Sequence, residues 1–116
     1  MLQSLSALAD VVTLDERLDV STATDARLLL HRAVDAGIGD LVVDMARLEV
    51  LDASGLGVLI GAHRRAMRSG RRLFLRNVPP PVMRVLWVTR LQRVLLVEQL
   101  AAPAEVVLPR ETLAAC

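Results

Sequence analysis

One of the serines of this 116-residue sequence lies where a predicted strand ends and a predicted helix begins. This residue, Ser54, lies in the stretch DASG (residues 52–55), directly after the aliphatic pair Val50-Leu51. The first N–H groups of a helix lack partners within the helix, and the helix dipole adds partial positive charge there. A serine at this point can accept a hydrogen bond as an N-cap, which contributes about 1 kcal/mol. The other interpretation is a phosphoacceptor, because a helix N-terminus tolerates the added negative charge.

Three glycines follow this serine in the first turns of the predicted helix, at positions 55, 57 and 61. Gly55 would leave the backbone beside Ser54 uncovered, so that the active site of another protein could approach the hydroxyl. Gly57 and Gly61 each cost a helix on the order of 1 kcal/mol relative to alanine. That cost predicts close packing of the helix against the sheet or against a partner.

The neighbours of Ser54 do not resemble those of a catalytic serine. The local order is S-G-L-G, whereas a hydrolase elbow reads G-x-S-x-G. His63 lies nine residues further along the same predicted helix, about 13 Å away along its axis, and His31 is predicted in the middle of another helix. The two histidines are far apart, the one cysteine is the C-terminal residue, and there is no lysine. We therefore expect no catalysis, no metal site and no cofactor.

The charges of the chain are unevenly distributed. Residues 1–52 carry a net charge of −6 and residues 53–116 a net charge of +7, although the whole chain carries +1. An acidic surface set against a basic one suits a protein partner, because complementary potentials steer association. Nucleic acid is disfavoured, because Phe74 and Trp87 are the only aromatic residues available for base stacking. The run from His63 to Arg72 predicts surface arginines that are either solvated or form a rim for an acidic partner; these are Arg64, Arg65, Arg68, Arg71 and Arg72.

The chain shows neither a membrane segment nor a secretion pattern. No apolar run approaches the roughly 18 residues that cross a bilayer, and the first ten residues lack the basic and apolar regions of a signal peptide. Cys116 has no second cysteine with which to form an internal disulfide. We expect a cytoplasmic protein with one domain over residues 1–116 that does not bind membranes.

Aliphatic runs alternate with helical patterns along the chain. Strands are predicted at Val11–Leu14, Leu41–Asp44, Leu73–Leu75 and Val94–Val97, with a ragged edge strand over residues 2–8. Helices are predicted from Ser21 or Thr22 to Gly37, from Gly55 to Ser69 and after Pro79-Pro80-Pro81, with a short C-terminal helix as a further option. This order predicts an α/β fold, with a mixed or mostly parallel sheet of four to five strands covered by three to four α-helices.

Side-chain roles follow from the helical spacing. Thr22 with Asp25 resembles a capping box at the start of the first helix. Met67 and Trp87 are expected to pack internally. The buried face of the first helix is predicted to consist of Ala26, Leu29, Leu30, Ala33 and Val34.

Three segments resemble the anti-anti-sigma factors, the bacterial single-domain form of the STAS fold. LDVSTA (residues 18–23) is similar to the family's L-D-x-x-T-A, and NVPPPVMRVLWVTRL (residues 77–91) to its proline-led last helix. LDASGLGVLIGAHRRA (residues 51–66) is similar to the block D-[ST]-S-G-L-G-V-L, and the matching positions are Asp52, Ser54, Gly55, Leu56 and Gly57. The resemblance covers nearly the whole chain.

The resemblance implies partner switching. The unphosphorylated protein would bind an anti-sigma factor, a serine kinase with a histidine-kinase-like ATPase fold, and so release a sigma factor. Phosphorylation of Ser54 would end the association, and a PP2C-type phosphatase would restore it. By the same match, Asp19 and Thr22 would line a docking surface beside Ser54, and Asp52 would help to position the hydroxyl. Gly55, Leu56 and Gly57 would belong to that surface, while ATP and Mg²⁺ would belong to the kinase.

Two departures from the family pattern affect the identity of the partner more than the fold. Glu16-Arg17 stands where the family usually has Gly-Glu, and Thr89-Arg90-Leu91 stands for T-G-L. The alternative function is a scaffold that is never phosphorylated, a STAS module in a larger complex such as a lipid-transport ATPase assembly. A gain of one phosphoryl group that disappears in Ser54→Ala would favour the switch.

Overall fold

The computed structural model describes residues 9–98, and within them strands and helices alternate. The strands are β1 (Ala9–Thr13), β2 (Arg17–Leu18), β3 (Asp40–Asp44), β4 (Val50–Leu51), β5 (Leu73–Arg76) and β6 (Leu96–Val97). The helices are α1 (Ala23–Ala36), α2 (Ala53–Arg68) and α3 (Pro80–Val88), followed by a 3₁₀ turn at Leu91–Arg93. The strand predicted over residues 2–8, the C-terminal helix and Cys116 lie outside the described residues.

Four strands form a parallel sheet in the order β1-β3-β5-β6, and β2 pairs with β4 in a small second sheet that is also parallel. Each neighbouring pair in the large sheet is joined by a crossover that contains a helix, and such crossovers are right-handed. All three helices therefore cover the same face. The predicted α/β class with a mostly parallel, helix-covered sheet is confirmed, whereas the separate β2–β4 sheet was not predicted.

One hydrophobic cluster joins the helices to the sheet. Its central strand residues alternate along β3 and β5, because every second side chain of a strand points to the same face. They are Leu41, Val43, Leu73 and Leu75, all completely buried. The helices contribute Leu30 and Val34 from α1, Leu59, Ala62 and Ala66 from α2, and Val82 and Leu86 from α3. None of the helices within residues 9–98 has the length and apolar character that crossing a bilayer requires.

Three apolar side chains lie further outside than predicted. Met67 is 61% exposed and Trp87 is 63% exposed, so the expectation that both pack internally is wrong. Each follows a buried residue of its helix, Ala66 or Leu86, and the turn of about 100° per residue rotates it away from the core. Leu29 is 47% exposed for the same reason, because Leu30 directs α1 towards the sheet.

Arg71 is the clearest departure from the predicted surface, because its side chain is only 2% exposed. Gly70 has a positive φ of 76° at the end of the turn after α2. The side chain of the next residue, Arg71, is directed into the protein before β5 begins. The guanidinium donates to the carbonyl oxygens of Ala33 and Val34 at 2.9 and 2.8 Å and so satisfies the C-terminal end of α1. It also binds a carboxylate oxygen of Asp10 at 2.9 Å, which ties the helix to β1.

Arg90 keeps a left-handed backbone where the resembled pattern has glycine. Its φ is 63° and its ψ is 20°, directly after α3 ends at Val88. An L residue in this conformation costs roughly 1 kcal/mol, so the turn geometry is retained in spite of the arginine side chain.

Candidate functional site

Ser54 is the second residue of α2 and is exposed to solvent. The helix N-cap is Asp52, whose Oδ1 accepts a hydrogen bond from the backbone N–H of Gly55 at 3.0 Å. The interpretation of Ser54 as the N-cap is therefore wrong, because the carboxylate two residues earlier already performs that role. The hydroxyl of Ser54 stands at the positive end of the helix dipole without being needed to close the helix.

Asp52 also connects α2 to the loop of residues 19–22. Its second oxygen, Oδ2, accepts a hydrogen bond from the backbone N–H of Val20 at 3.0 Å. Both carboxylate oxygens are thus engaged with backbone groups rather than with the Ser54 hydroxyl, contrary to the expected positioning role. Asp52 instead holds the loop against the beginning of the helix.

Gly55 is buried and lies against the backbone of Leu18. A Cβ atom at this position would overlap the carbonyl oxygen of Leu18, so only glycine allows the contact. The expectation that Gly55 keeps the backbone uncovered is therefore wrong. Gly57 and Gly61 differ, because apart from the adjoining backbone of α2 itself no atom lies within 4 Å of where their Cβ atoms would be. Their expected packing against the sheet is not found.

Asp19 shapes the loop from within, being only 5% exposed. Its Oδ1 accepts hydrogen bonds from the backbone N–H and the hydroxyl of Ser21, at 3.0 and 2.6 Å, and its Oδ2 pairs with Arg17 at 2.7 Å. The bond from the Ser21 hydroxyl is the largest cause that lowers the pKa of the Asp19 carboxyl, and Arg17 adds to it, while burial opposes both. Asp19 therefore acts as an ionised structural residue.

Thr22 closes the loop rather than capping α1. Its Oγ1 accepts a hydrogen bond from the backbone N–H of Asp19 at 3.1 Å and lies 3.1 Å from the carbonyl oxygen of Arg17, to which the hydroxyl donates. It occupies the N-cap position of α1 but makes no side-chain cap bond, so the predicted capping box with Asp25 is wrong. The threonine hydroxyl satisfies loop backbone groups instead.

The fold thus brings together most of the residues singled out in the sequence. Asp52 and Gly55 join the loop that contains Asp19 and Thr22 to the start of α2, while Leu56 is half-buried and packs against the core. We call the exposed residues around Asp52 the Ser54 surface; they are Val20, Ser21, Ala53, Ser54 and Gly57. Val20 is 75% exposed.

Val20 was missed in the sequence, and Arg17 and Ser21 were noted there only as a departure from the family pattern and as a possible start of α1. The role of Ser21 in the loop had a detectable signal, because an aspartate two residues before a serine is typical of an Asx-turn. Val20 had none, since its role depends on the distant carboxylate of Asp52. His63 is 6% exposed, and its pKa is lowered mainly by burial and also by Arg64. No group of three metal-ligating side chains occurs within residues 9–98.

Asp52→Ala is expected to lower the free energy of unfolding by about 1–2 kcal/mol, because the helix loses its cap and the loop loses its tether. Urea unfolding measures the loss. Amide hydrogen exchange should accelerate at both Val20 and Gly55, the two donors to the carboxylate. Asp15→Ala is the control, since that side chain is 81% exposed and its ion pair spans 3.7 Å. Unchanged exchange at Val20 would contradict the tether.

The architecture is that of a small α/β domain that presents a helix N-terminus and a hydrogen-bonded loop to solvent. The chain belongs to the STAS domain family, whose sequence profile matches residues 7–102. An anti-sigma F factor antagonist of Paenibacillus polymyxa is 28% identical to it over 86 residues, 73% of this chain and 74% of the relative. The resemblance to the anti-anti-sigma factors is therefore confirmed.

Solved structures agree with this assignment. An RsbS variant of Moorella thermoacetica with a serine-to-glutamate substitution is 31% identical to this chain, with a TM-score of 0.62. The match covers 78% of this chain and 79% of the RsbS chain. The unphosphorylated form of the anti-sigma factor antagonist SpoIIAA has a TM-score of 0.64 at 24% identity, over 79% of this chain and 81% of its own. At that identity the second likeness supports the fold alone.

Proposed function

We propose that this protein is an anti-sigma factor antagonist regulated by phosphorylation of Ser54. In its unphosphorylated state it binds an anti-sigma serine kinase with a histidine-kinase-like ATPase fold and so frees a sigma factor. The observation that carries the proposal is the division of roles at α2: Asp52 caps the helix, and Ser54 remains exposed beside it. The relative from Paenibacillus polymyxa, which is an anti-sigma F factor antagonist, supports the same function.

The local electrostatics suit a modification that changes recognition and leaves the fold intact. A phosphoserine adds about −1.5 to −2 charges at neutral pH. The first turn of α2 contains no acidic residue, so its dipole and free N–H groups accommodate that charge. Across an interface the effect is opposite, because the phosphate would join Asp52 in one negatively charged patch. A partner that fits a neutral hydroxyl would then lose affinity.

The remaining chemistry belongs to the partners. The kinase supplies ATP and Mg²⁺, a PP2C-type phosphatase removes the phosphoryl group, and the protein itself acts in the cytoplasm as a non-catalytic binding domain. Asp19 and Thr22 contribute by holding the loop, and therefore Val20 and Ser21, in one position. The exposed part of the interface is the Ser54 surface.

Ser54→Ala is expected to retain kinase binding and to lose phosphorylation, whereas Ser54→Asp should weaken binding about tenfold or more through like-charge repulsion. The purified chain is incubated with ATP, Mg²⁺ and each anti-sigma serine kinase of the same organism. Intact-mass measurement detects the phosphoryl group, and titration calorimetry gives Kd. Ser69→Asp is the control, because it adds the same charge on an exposed serine beyond the other end of α2.

Two results would contradict the proposal. If Ser54→Asp lost its cooperative unfolding transition while Ser69→Asp kept it, Ser54 would be a structural residue. If no kinase added a phosphoryl group to the wild-type chain, the protein would be a STAS scaffold that is not phosphorylated.

A further inference from the structure

A groove of about 330 Å³ opens between α1 and the segment that joins β1 to β2, and Thr22 of loop 19–22 lines it. We propose that this groove receives one aliphatic side chain of the partner kinase, flanked on the kinase by basic residues, and thereby selects which kinase docks. The inference rests on the proposed function, since it concerns the partner of the same surface.

The floor of the groove is apolar and consists of side chains that belong to the hydrophobic core. Leu14 and Leu18 line it and are 4% and 1% exposed. Leu29 forms a wall of the groove and is 47% exposed, although helical spacing predicted it to be buried. A side chain of leucine or isoleucine size inserted here would remove this apolar surface from water, which is the main source of affinity at interface centres.

The rim of the groove is acidic. Asp15, Glu16 and Asp25 line it, and Arg17 is the one basic lining residue. Arg17 is already paired with the buried carboxylate of Asp19 at 2.7 Å. Arg47 pairs with Glu16 at 3.1 Å and so partly neutralises the part of the rim that Glu16 forms.

Asp25 has no ion-pair partner within residues 9–98, so the rim keeps a negative charge that is available to a basic residue of a partner. Complementary charge on a partner improves its association rate and its specificity. The chemistry that fits is therefore an aliphatic residue beside arginine or lysine.

The groove adjoins the loop that carries Val20 and Ser21 of the Ser54 surface. Thr22 lines the groove and at the same time closes the loop, and the carbonyl oxygen of Leu18 is the atom that packs against Gly55. The four residues of loop 19–22 can span at most about 14 Å of chain. A specific interface covers about 800 Å² on each partner, so a kinase seated over Ser54 extends across the loop to the groove.

Two adjacent leucines of α1 provide a matched test. Leu28 is 49% exposed and Leu29 is 47% exposed, but of the two only Leu29 lines the groove. For an anti-sigma serine kinase that binds the wild-type chain, Leu29→Ser is expected to raise Kd about tenfold or more, and Leu28→Ser less than about threefold. Asp25→Arg, at an exposed position on the rim, is expected to raise Kd about fivefold and to flatten its dependence on salt. Titration calorimetry measures each Kd.

The outcomes separate the two proposals. If the wild-type chain binds none of these kinases, the proposed function fails and the inference fails with it. If the wild-type chain binds but Leu29→Ser and Leu28→Ser behave alike, the groove is not part of the interface, although the function stands. The melting temperature of each variant is measured as well. If Leu29→Ser has a lower melting temperature than Leu28→Ser, its Kd no longer tests the groove, and the Kd of Asp25→Arg decides instead. An unchanged Kd for Asp25→Arg then overturns the inference.

Discussion

Arg71→Met is expected to lower the free energy of unfolding by about 3–5 kcal/mol, a large part of the 5–15 kcal/mol typical of small domains. Methionine keeps the apolar stem but removes every donor. The carbonyl oxygens of Ala33, Val34 and Gly39 would lose bonds of 2.8–2.9 Å in a region with little access to water. Asp10 would lose its partner as well. Urea unfolding followed by circular dichroism measures the change.

Arg72→Met is the matched control, because the residue is adjacent and of the same type. Its side chain is 67% exposed and pairs with Asp40 at 3.2 Å. It also stacks over the ring of Phe74, with 5.3 Å between the guanidinium carbon and the ring centroid. Exposed contacts of this kind contribute about 1 kcal/mol or less. Equal losses for the two variants would show that burial of Arg71 does not determine its contribution.

Gly55→Ala is expected to cost about 2–3 kcal/mol and to reduce kinase binding at the same time. The added methyl group overlaps the carbonyl oxygen and carbonyl carbon of Leu18, which are backbone atoms and move only if the strand moves. Such a shift separates Asp52 from Val20 and distorts the loop beside Ser54. Thermal unfolding measures the stability loss, and kinase titration measures the loss of affinity.

Gly57→Ala, two residues later in the same helix, should have the opposite sign. Apart from the adjoining backbone of α2, no atom lies within 4 Å of the position of its Cβ, and alanine favours a helix by about 0.5–1 kcal/mol over glycine. A stability gain with Gly57→Ala beside a loss with Gly55→Ala would separate tertiary contact from helix propensity. If both variants were stabilised, the close approach of Leu18 to α2 would be contradicted.

The sequence predicted the large elements well, because each has a pattern that local physics explains. The strands β3 and β5 contain the apolar runs LVV and LFL, as expected of strands in a parallel sheet. The proline-led start of α3 follows from the backbone preference of proline, and α1 ends before Gly37 as predicted, although that glycine is extended rather than left-handed. The pairing of β2 with β4 in a separate sheet escaped prediction, since a pairing of two residues has no periodicity of its own.

The sequence also singled out residues that the fold brings together, but it predicted the wrong structural task for several of them. Asp52 and Ser54 both suit a helix N-terminus by type, and propensity alone does not distinguish which of them caps it. Gly55 and Gly57 likewise look alike in a helical pattern, although one contacts Leu18 and the other faces open space. These distinctions depend on the position of β2 relative to α2, and the two elements are far apart along the chain.

By itself, the amino-acid sequence determined the α/β class, the order of the main elements and the presence of a serine at the start of α2. Those features depend on hydrophobic periodicity and on capping preferences, which act over a few neighbouring residues. Only the tertiary structure decided that Asp52 is the cap, that Arg71 is buried and that a groove lies beside Leu29. The burial of Arg71 and the groove depend on atoms brought together from distant segments, and local chain preferences carry no information about such contacts. The cap bond of Asp52 is local, but the same carboxylate is also held by the distant backbone N–H of Val20.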